Sequence, residues 1–515
     1  MNKKKLLIVI LLALFAVLLA AAIWCVSQYA IVELKFYPKD AEILDLRQEE
    51  ITPEHFDKLR QKMPECEILW NVPFQNGYQD SSITELTLTS LTETDIGQLA
   101  YFPDLKTVYA ENCTDYPQLL SLRQSNPALD LRYNVPLDGT DYPQDSLTVK
   151  LTAITEEELA LLPCLPQLET VVAAADADGE SAAALQAYAH QNGLEFCICV
   201  GDAIVSEDAE QIRVTGITDA EISLLSYLPQ LKIAHFMEPT ASAETLLAFQ
   251  TERTDLSVTW EKDICGLLCT NETTEVDLSE QTVSSIEEVE AGLAYFPNVT
   301  QVFLGEQSHI DNETIAAFRE RNREQYKVVW VVDLSGKMKV RTDIDNFMPS
   351  RDGWGYVRDG EVDNIRYCED LICIDLGHMG IKNVDFLAPL VNLEYLILAH
   401  TEVQYIDAIS NCKKLKYLEL DWSCIRDVSP LVECTALEDL NLGKTWPDIT
   451  PILEMTWLKN LYMIQGSGGD AWKCTQALPN TRVVASGEYT VSNGWRHLPN
   501  YYKMRDILGM YYMDQ

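Results

Sequence analysis

The chain is poor in positive charge. Of its 515 residues, 39 are Lys or Arg against 79 Asp or Glu, which leaves a net charge of −40. Only Lys3, Lys4 and Lys5 are charged in the first thirty residues, so the rest of the chain sums to −43. A surface of that sign repels phosphate backbones, which excludes a nucleic-acid binder and disfavours adsorption to anionic lipid. Histidine is also scarce, with seven in all (His55, His190, His235, His309, His378, His400 and His497). None stands in an H-E-x-x-H pair, and both a G-x-S-x-G elbow and a phosphate-cradling glycine loop are missing. Carboxylates are abundant, but a catalytic pair needs a cleft and two different environments. An enzyme is therefore the least favoured reading, and no cofactor or metal is expected. The acidic runs at Asp343 and Asp345, at Asp359, Glu361 and Asp363, and at 176–180 lack the spaced oxygen ligands of a calcium loop.

Paired cysteine spacing is absent as well. There are 14 Cys, and the 13 beyond Cys25 do not form the pattern of a small disulfide scaffold. Buried core thiols are the expectation. Cys197 and Cys199 alternate along a strand-like segment, and Cys265 and Cys269 are spaced for one helical turn; a disulfide or a zinc site is the alternative for these four. Long apolar runs are missing everywhere except at the start. There, Leu6 to Val26 is an uncharged stretch of 21 residues, enough to cross a bilayer as a helix. The three lysines before it favour the cytoplasmic side. Residues 1–5 read as a cytoplasmic tail, 6–27 as a transmembrane signal anchor and 28–40 as a linker. Cleavage after Ala20-Ala21-Ala22, giving a secreted protein, is the alternative, although the apolar run continues past it.

What the sequence does contain is repetition. From Leu371 it reads LICIDLGHMGIKNVDFLAPLVN, from Leu393 LEYLILAHTEVQYIDAISNCKK, from Leu415 LKYLELDWSCIRDVSPLVECTA and from Leu437 LEDLNLGKTWPDITPILEMTW, with LKNLYMIQ opening a fifth unit at Leu458. Three units are 22 residues long and the fourth is 21, with apolar residues at the first, fourth and sixth positions. A unit of this kind cannot bury its own apolar side, and stacked units bury it against each other. Further upstream, Pro103, Pro166, Pro229 and Pro297 sit in related segments (YFPDLKTV, CLPQLETV, YLPQLKIA, YFPNVTQV) spaced 63, 63 and 68 apart. LWNVPF at Leu69 and RYNVPL at Arg132 repeat on the same 63-residue period. Each long unit reads strand–helix–strand–helix, and the array spans 41–345. Residues 346–370 are Gly- and Asp-rich and read as a joint, 371–480 as the regular repeats, and the aromatic 481–515 as a C-terminal cap.

The 22-residue pattern resembles the leucine-rich-repeat family, and the elements Asp427-Val428-Ser429-Pro430-Leu431 and Asp448-Ile449-Thr450-Pro451-Ile452 resemble its internalin-like subclass. The resemblance implies an α/β leucine-rich-repeat solenoid in two arrays behind an N-terminal transmembrane helix, on a bacterial surface protein. The ninth position, often Asn in the family, holds Met379, Thr401, Ser423 and Thr445. Thr and Ser can bond the turn backbone there and Met cannot, so the first unit should be irregular. The resemblance also implies adhesion or surface recognition of a protein or glycan. Separately, the chain is expected to be a monomer that meets the membrane only through its first helix. A non-catalytic scaffold for other envelope proteins is the alternative.

The strand pattern also nominates a surface. Residues between the leucines line one face of the sheet. That projects His378, Tyr395, His400, Tyr417, Glu419, Asp421, Trp422, Asn441, Lys444 and Tyr462 onto a concave face, together with Asp375, Asp439 and Asn460. Tyr395 and Tyr417 should stack side by side, and His378, His400, Trp422 and Lys444 should form a second row. Aromatics among acids suit recognition; incidental aromatics on a solvated sheet, or packing against the aromatic tail, compete with that reading. Cys412 and Cys434, 22 apart, read as a stacked core position.

Overall fold

The structure is a computed structural model that describes residues 3–510; Met1, Asn2 and 511–515, the ends of the expected cytoplasmic tail and cap, lie outside the described residues. It divides into two compact units, Met1–Ala234 with Arg253–Ser257, and His235–Glu252 with Val258–Gln515.

The first unit opens with one helix, Lys3–Gln28, of 26 residues and without a buried apolar face. At 1.5 Å per residue it is roughly 39 Å long, more than the ~30 Å of a bilayer's hydrocarbon core. The segment expected to be a linker is folded instead. Tyr29–Val32 and Lys35–Pro38 form an antiparallel hairpin, which is tied back to the helix by Lys39 N donating to Gln28 O at 2.9 Å. Tyr37 Oη contacts His55 Nε2 at 2.9 Å, and Glu33 reaches the other ring nitrogen at 2.9 Å. Hydrogen bonds from His55 and Lys58 hold the Glu33 carboxyl at about 2.

The long repeats carry more strands than the pattern showed. In one module Thr148–Leu151, Thr170–Ala173 and Glu195–Val200 pair in parallel, and Ala203–Ser206 returns antiparallel on the last of them. Helices Glu156–Leu159 and Gly179–Asn192 connect the parallel strands. The second unit repeats the arrangement with Glu275–Leu278, Gln301–Leu304, Lys327–Leu334 and Met338–Arg341. Each helix that follows a first strand has an acidic start because it is capped: Thr92 with Asp95, Thr155 with Glu158 and Thr218 with Glu221 each form a reciprocal capping box. Most of the antiparallel returns are made by two-residue turns; Asp138-Gly139 has both residues at positive φ (50° and 71°), the left-handed pair that matches strand twist. Cys265 lies in such a turn and Cys269 on the strand after it, so these two are not one helical turn apart.

The regular repeats, within the second unit, form a parallel sheet of seven strands: Asn346–Phe347, Cys373–Asp375, Tyr395–Ile397, Tyr417–Glu419, Asp439–Asn441, Asn460–Tyr462 and Arg482–Val484. The first and last of these were not expected. Residues 346–370 are an irregular first repeat and not a joint, with their own 3-10 return segment Asp363–Tyr367. Ion pairs from Arg319 to Glu369 and from Lys327 to Asp370 seat that repeat on the preceding module. Later return segments are short 3-10 turns, and two of them carry a proline in their first two positions, Pro430 in Ser429–Glu433 and Pro451 in Pro451–Glu454, where a missing N–H and a preset φ are favourable. Asp427 and Asp448 accept from the N–H groups of Ser429 and Thr450 at 2.8 and 3.0 Å. At the ninth position Thr401 and Thr445 donate to Leu398 O and Leu442 O, both at 2.7 Å. Met379 does find a backbone partner, its sulfur accepting from Val357 N at 3.3 Å. Leu371, Leu393, Leu415 and Leu437 are fully buried between turns. All fourteen thiols are free; burial pushes Cys412 up to about 12 and Cys434 up to about 11.

Candidate functional site

Pairing fixes which side chains share a row. Cys373, Tyr395, Tyr417, Asp439 and Asn460 stand side by side across the sheet, and so do Asp375, Ile397, Glu419, Asn441 and Tyr462. Both rows face away from the repeat core, as expected. They are not open to solvent, however. Tyr395, Tyr417, Glu419, Asp421, Asn441 and Tyr462, six of the ten candidate residues, are buried. The cover is the chain's own tail. After the strand Arg482–Val484 the chain turns through an exposed segment, Ala485–Tyr489, and returns across the sheet. Its helix Pro499–Ile507 and the turn before it place Trp495, Leu498, Tyr501, Met504 and Leu508 on Tyr395, Ile397, Tyr417 and Tyr462. Trp495 stacks on Tyr417 with ring centroids 4.6 Å apart and meets Tyr462 edge-on at 5.1 Å. The tail therefore lies over the open face of the sheet and not over the end of the solenoid. At its far end the Arg351 guanidinium donates to Leu508 O.

The covered face is acidic. Glu419 accepts from Tyr417 Oη at 3.1 Å, and burial pushes its carboxyl up to about 7 despite the nearby Trp495 indole and Arg496 guanidinium. Burial also raises Asp375, Asp421 and Asp439. Asn500 on the tail donates to Glu438 at 3.1 Å and to Asp439 at 3.0 Å. Two polar atoms at or beside this contact have no hydrogen-bond partner: Asn441 Nδ2 and Asp421 Oδ1.

The other expected row stays outside. His378, His400, Trp422 and Lys444 occupy the eighth position of successive repeats, each in a left-handed backbone conformation (φ 63°, 58°, 56° and 52°). Non-glycine residues rarely adopt it, and its recurrence turns four side chains out along one edge in register. His378 and His400 stack at 4.3 Å, and His400 meets Trp422 at 4.9 Å. Lys444 Nζ lies 4.1 Å from the Trp422 ring centroid and 4.7 Å from that of Tyr489. Trp422 is 55% exposed. His400 Nε2 lies 3.8 Å from Asp421 Oδ2; burial, with His378 and Lys444 close by, lowers the His400 pKa. Cation–π and ring contacts of this kind hold side chains in fixed positions at an exposed edge.

Two members of this edge escaped the sequence reading. Tyr489 lies outside any repeat register, so nothing placed it beside Lys444. Trp446, 67% exposed, stands at the tenth position of its repeat, where only its aromatic character could have drawn notice. The acidic runs serve local structure. Asp359 accepts from the N–H groups of Lys382 and Asn383, both at 2.8 Å, Asp343 pairs with Arg341, and Asp178 caps a helix. No group of three or more His, Cys, Asp or Glu among the described residues could hold a metal ion.

The parallel ladder on a 22-residue period, with 3-10 returns and a leucine core, is leucine-rich-repeat geometry. The second unit carries a leucine-rich-repeat solenoid. No protein-family model matches the sequence, and neither does any curated protein. Among solved structures, an internalin of Listeria monocytogenes aligns at 16% identity over 59% of this chain and 88% of its own, with a TM-score of 0.23. Internalin C2 of the same species aligns at 15% over 51% and 85%, with a TM-score of 0.19. A leucine-rich-repeat protein of Leptospira interrogans aligns at 11% over 84% and 80%, with a TM-score of 0.23.

Proposed function

We propose that this chain is a membrane-tethered, surface-displayed binding protein that recognises a protein or glycan through its leucine-rich repeats, without catalysis. The observation that carries the proposal is the outward row His378–His400–Trp422–Lys444. The eighth position is left-handed in five successive repeats, and in four of them it carries rings and a cation that contact one another in register. The side chains placed there, and not the turn conformation, distinguish these four repeats from the fifth, which carries Gln465. Large, rigid side chains of this type lose little conformational entropy on binding. The N-terminal helix supplies the tether, and the three lysines before it favour an orientation with the repeats outside. The chain acts as a monomer.

The test is a binding screen of the full chain in nanodiscs against extracellular-matrix proteins, host glycans and cell-wall fragments. Trp422→Ala and Lys444→Ala run in parallel. We expect a ligand whose binding falls about tenfold or more in both variants, the loss of one interface anchor at 1.4 kcal/mol or above. Stoichiometric co-purification with membrane proteins of the producing cell, and no external ligand, would support the envelope-scaffold alternative and contradict recognition.

A further inference from the structure

We infer that the tail-covered face of the repeat sheet is a second interaction surface, a groove for an amphipathic helix bearing aromatic and basic side chains, and that residues 490–510 are its resident intramolecular occupant. The inference is independent of the exposed His378–Lys444 row and holds whether or not that row binds anything.

Three observations support it. The first is the chemistry of the floor. Tyr395, Tyr417 and Tyr462 alternate with Asp375, Glu419 and Asp439 over four repeats. An apolar cap would be matched by an apolar floor, and this floor holds carboxylates that burial drives toward their neutral forms. The second is the occupant. Trp495, Leu498, Tyr501, Met504 and Leu508 recur every three or four residues and are buried on the floor, while Arg496, His497 and Lys503 are exposed. This is helix-in-groove recognition in outline, with apolar anchors on one face. Its positive charge complements the floor, with Arg496 acting on both Glu419 and Asp375. The third is the quality of the fit. Asn441 Nδ2 is buried beneath the tail without a partner, and an unmade buried hydrogen bond weakens a contact. The segment joining the tail to the last strand is exposed and contains Gly487 at φ 130°. A tethered segment that leaves a buried amide unpaired can be displaced by a free one that pairs better.

The occupant this surface fits is therefore a helical peptide segment of another protein. It has two aromatic anchors about six residues apart, apolar residues one and two turns further on, and net positive charge. It must compete with a tail held at high effective concentration, so the intact chain binds it weakly.

The experiment uses the full chain in nanodiscs and a fluorescent synthetic peptide with the sequence of residues 494–510, beside a scrambled control. Wild type is compared with Trp495→Ala/Tyr501→Ala, which weakens the resident tail. The expected result is peptide binding at least about tenfold tighter to the variant, lost again when Tyr417→Ala and Glu419→Lys are added. Hydrogen exchange on wild type should show the amides of 501–508 opening before those of 395–397 and 417–419. Equal peptide binding by variant and wild type would overturn the inference. So would loss of strand protection in the variant, which would make the tail a structural lid. Variant dimers that exchange tails would also overturn it, because the occupant would then be a second copy of this chain.

Discussion

Glu419 is the residue on which the covered face turns. Its carboxyl is fully buried beneath Trp495, and burial raises it from 4.5 to about 7. A group whose pKa is higher when covered holds its proton more tightly in that state. It favours docking of the tail fully below pH 4.5, and that contribution is lost as pH rises through about 7. Exchange protection of amides 501–508, corrected for intrinsic rates, should accordingly fall between pH 5 and pH 8. Glu419→Gln should flatten the dependence and hold the tail down at pH 8; an unchanged profile in that variant would refute the assignment. The same residue shows what the sequence can and cannot reveal. The repeat register alone put Glu419 on one face with Asp375 and Asn441 and put Tyr395 beside Tyr417. It also put His378, His400, Trp422 and Lys444 in a row of their own. A register fixes which side chains share a face, but it carries no information about a non-repeating segment that folds back over that face.

At the scale of the element, helix starts were legible and hairpin turns were overlooked. The acidic runs at Thr92, Thr155 and Thr218 are helix caps, a local signal written within four residues. Asp138-Gly139 is an equally local signal for a two-residue turn, but the surrounding NVPL and TDYP segments are short and lack clear alternation. Their pairing comes from the turn and not from a pattern of period two. Gly139 is at φ 71° with open space where a Cβ would point, so a side chain there meets backbone strain alone. Gly139→Val should cost ~1–2 kcal/mol, the penalty of a left-handed non-glycine residue. The checking measurement is faster exchange confined to amides 134–143, with the neighbouring strands Thr148–Leu151 and Thr170–Ala173 unaffected. Thr155→Ala should cost about 1 kcal/mol by loss of its cap, visible as faster exchange over 156–165. Exchange suits these tests because a repeat array does not unfold as one two-state body.

At the scale of the whole molecule, the leucine pattern was enough to reveal the solenoid, because each repeat buries the same positions against its neighbours. Its ends were read too narrowly. The strands Asn346–Phe347 and Arg482–Val484 extend the sheet by one repeat on each side without the leucine spacing, the first packed on the preceding module and the last at the sheet's edge. The account's central claim is that this array is displayed outside the cell on an uncleaved helix with its ring-bearing edge open. Cys424, two residues after Trp422, is exposed, while Cys412 and Cys434 in the adjoining return segments are buried with raised pKa values. A membrane-impermeant maleimide applied to intact cells producing the protein, followed by mass spectrometry of the full-length chain, reads that claim directly. The account predicts labelling at Cys424, none at Cys412 or Cys434, and a membrane-bound product that retains Trp24. Labelling of Cys424 only after lysis, or a released chain beginning beyond Ala22, would contradict it.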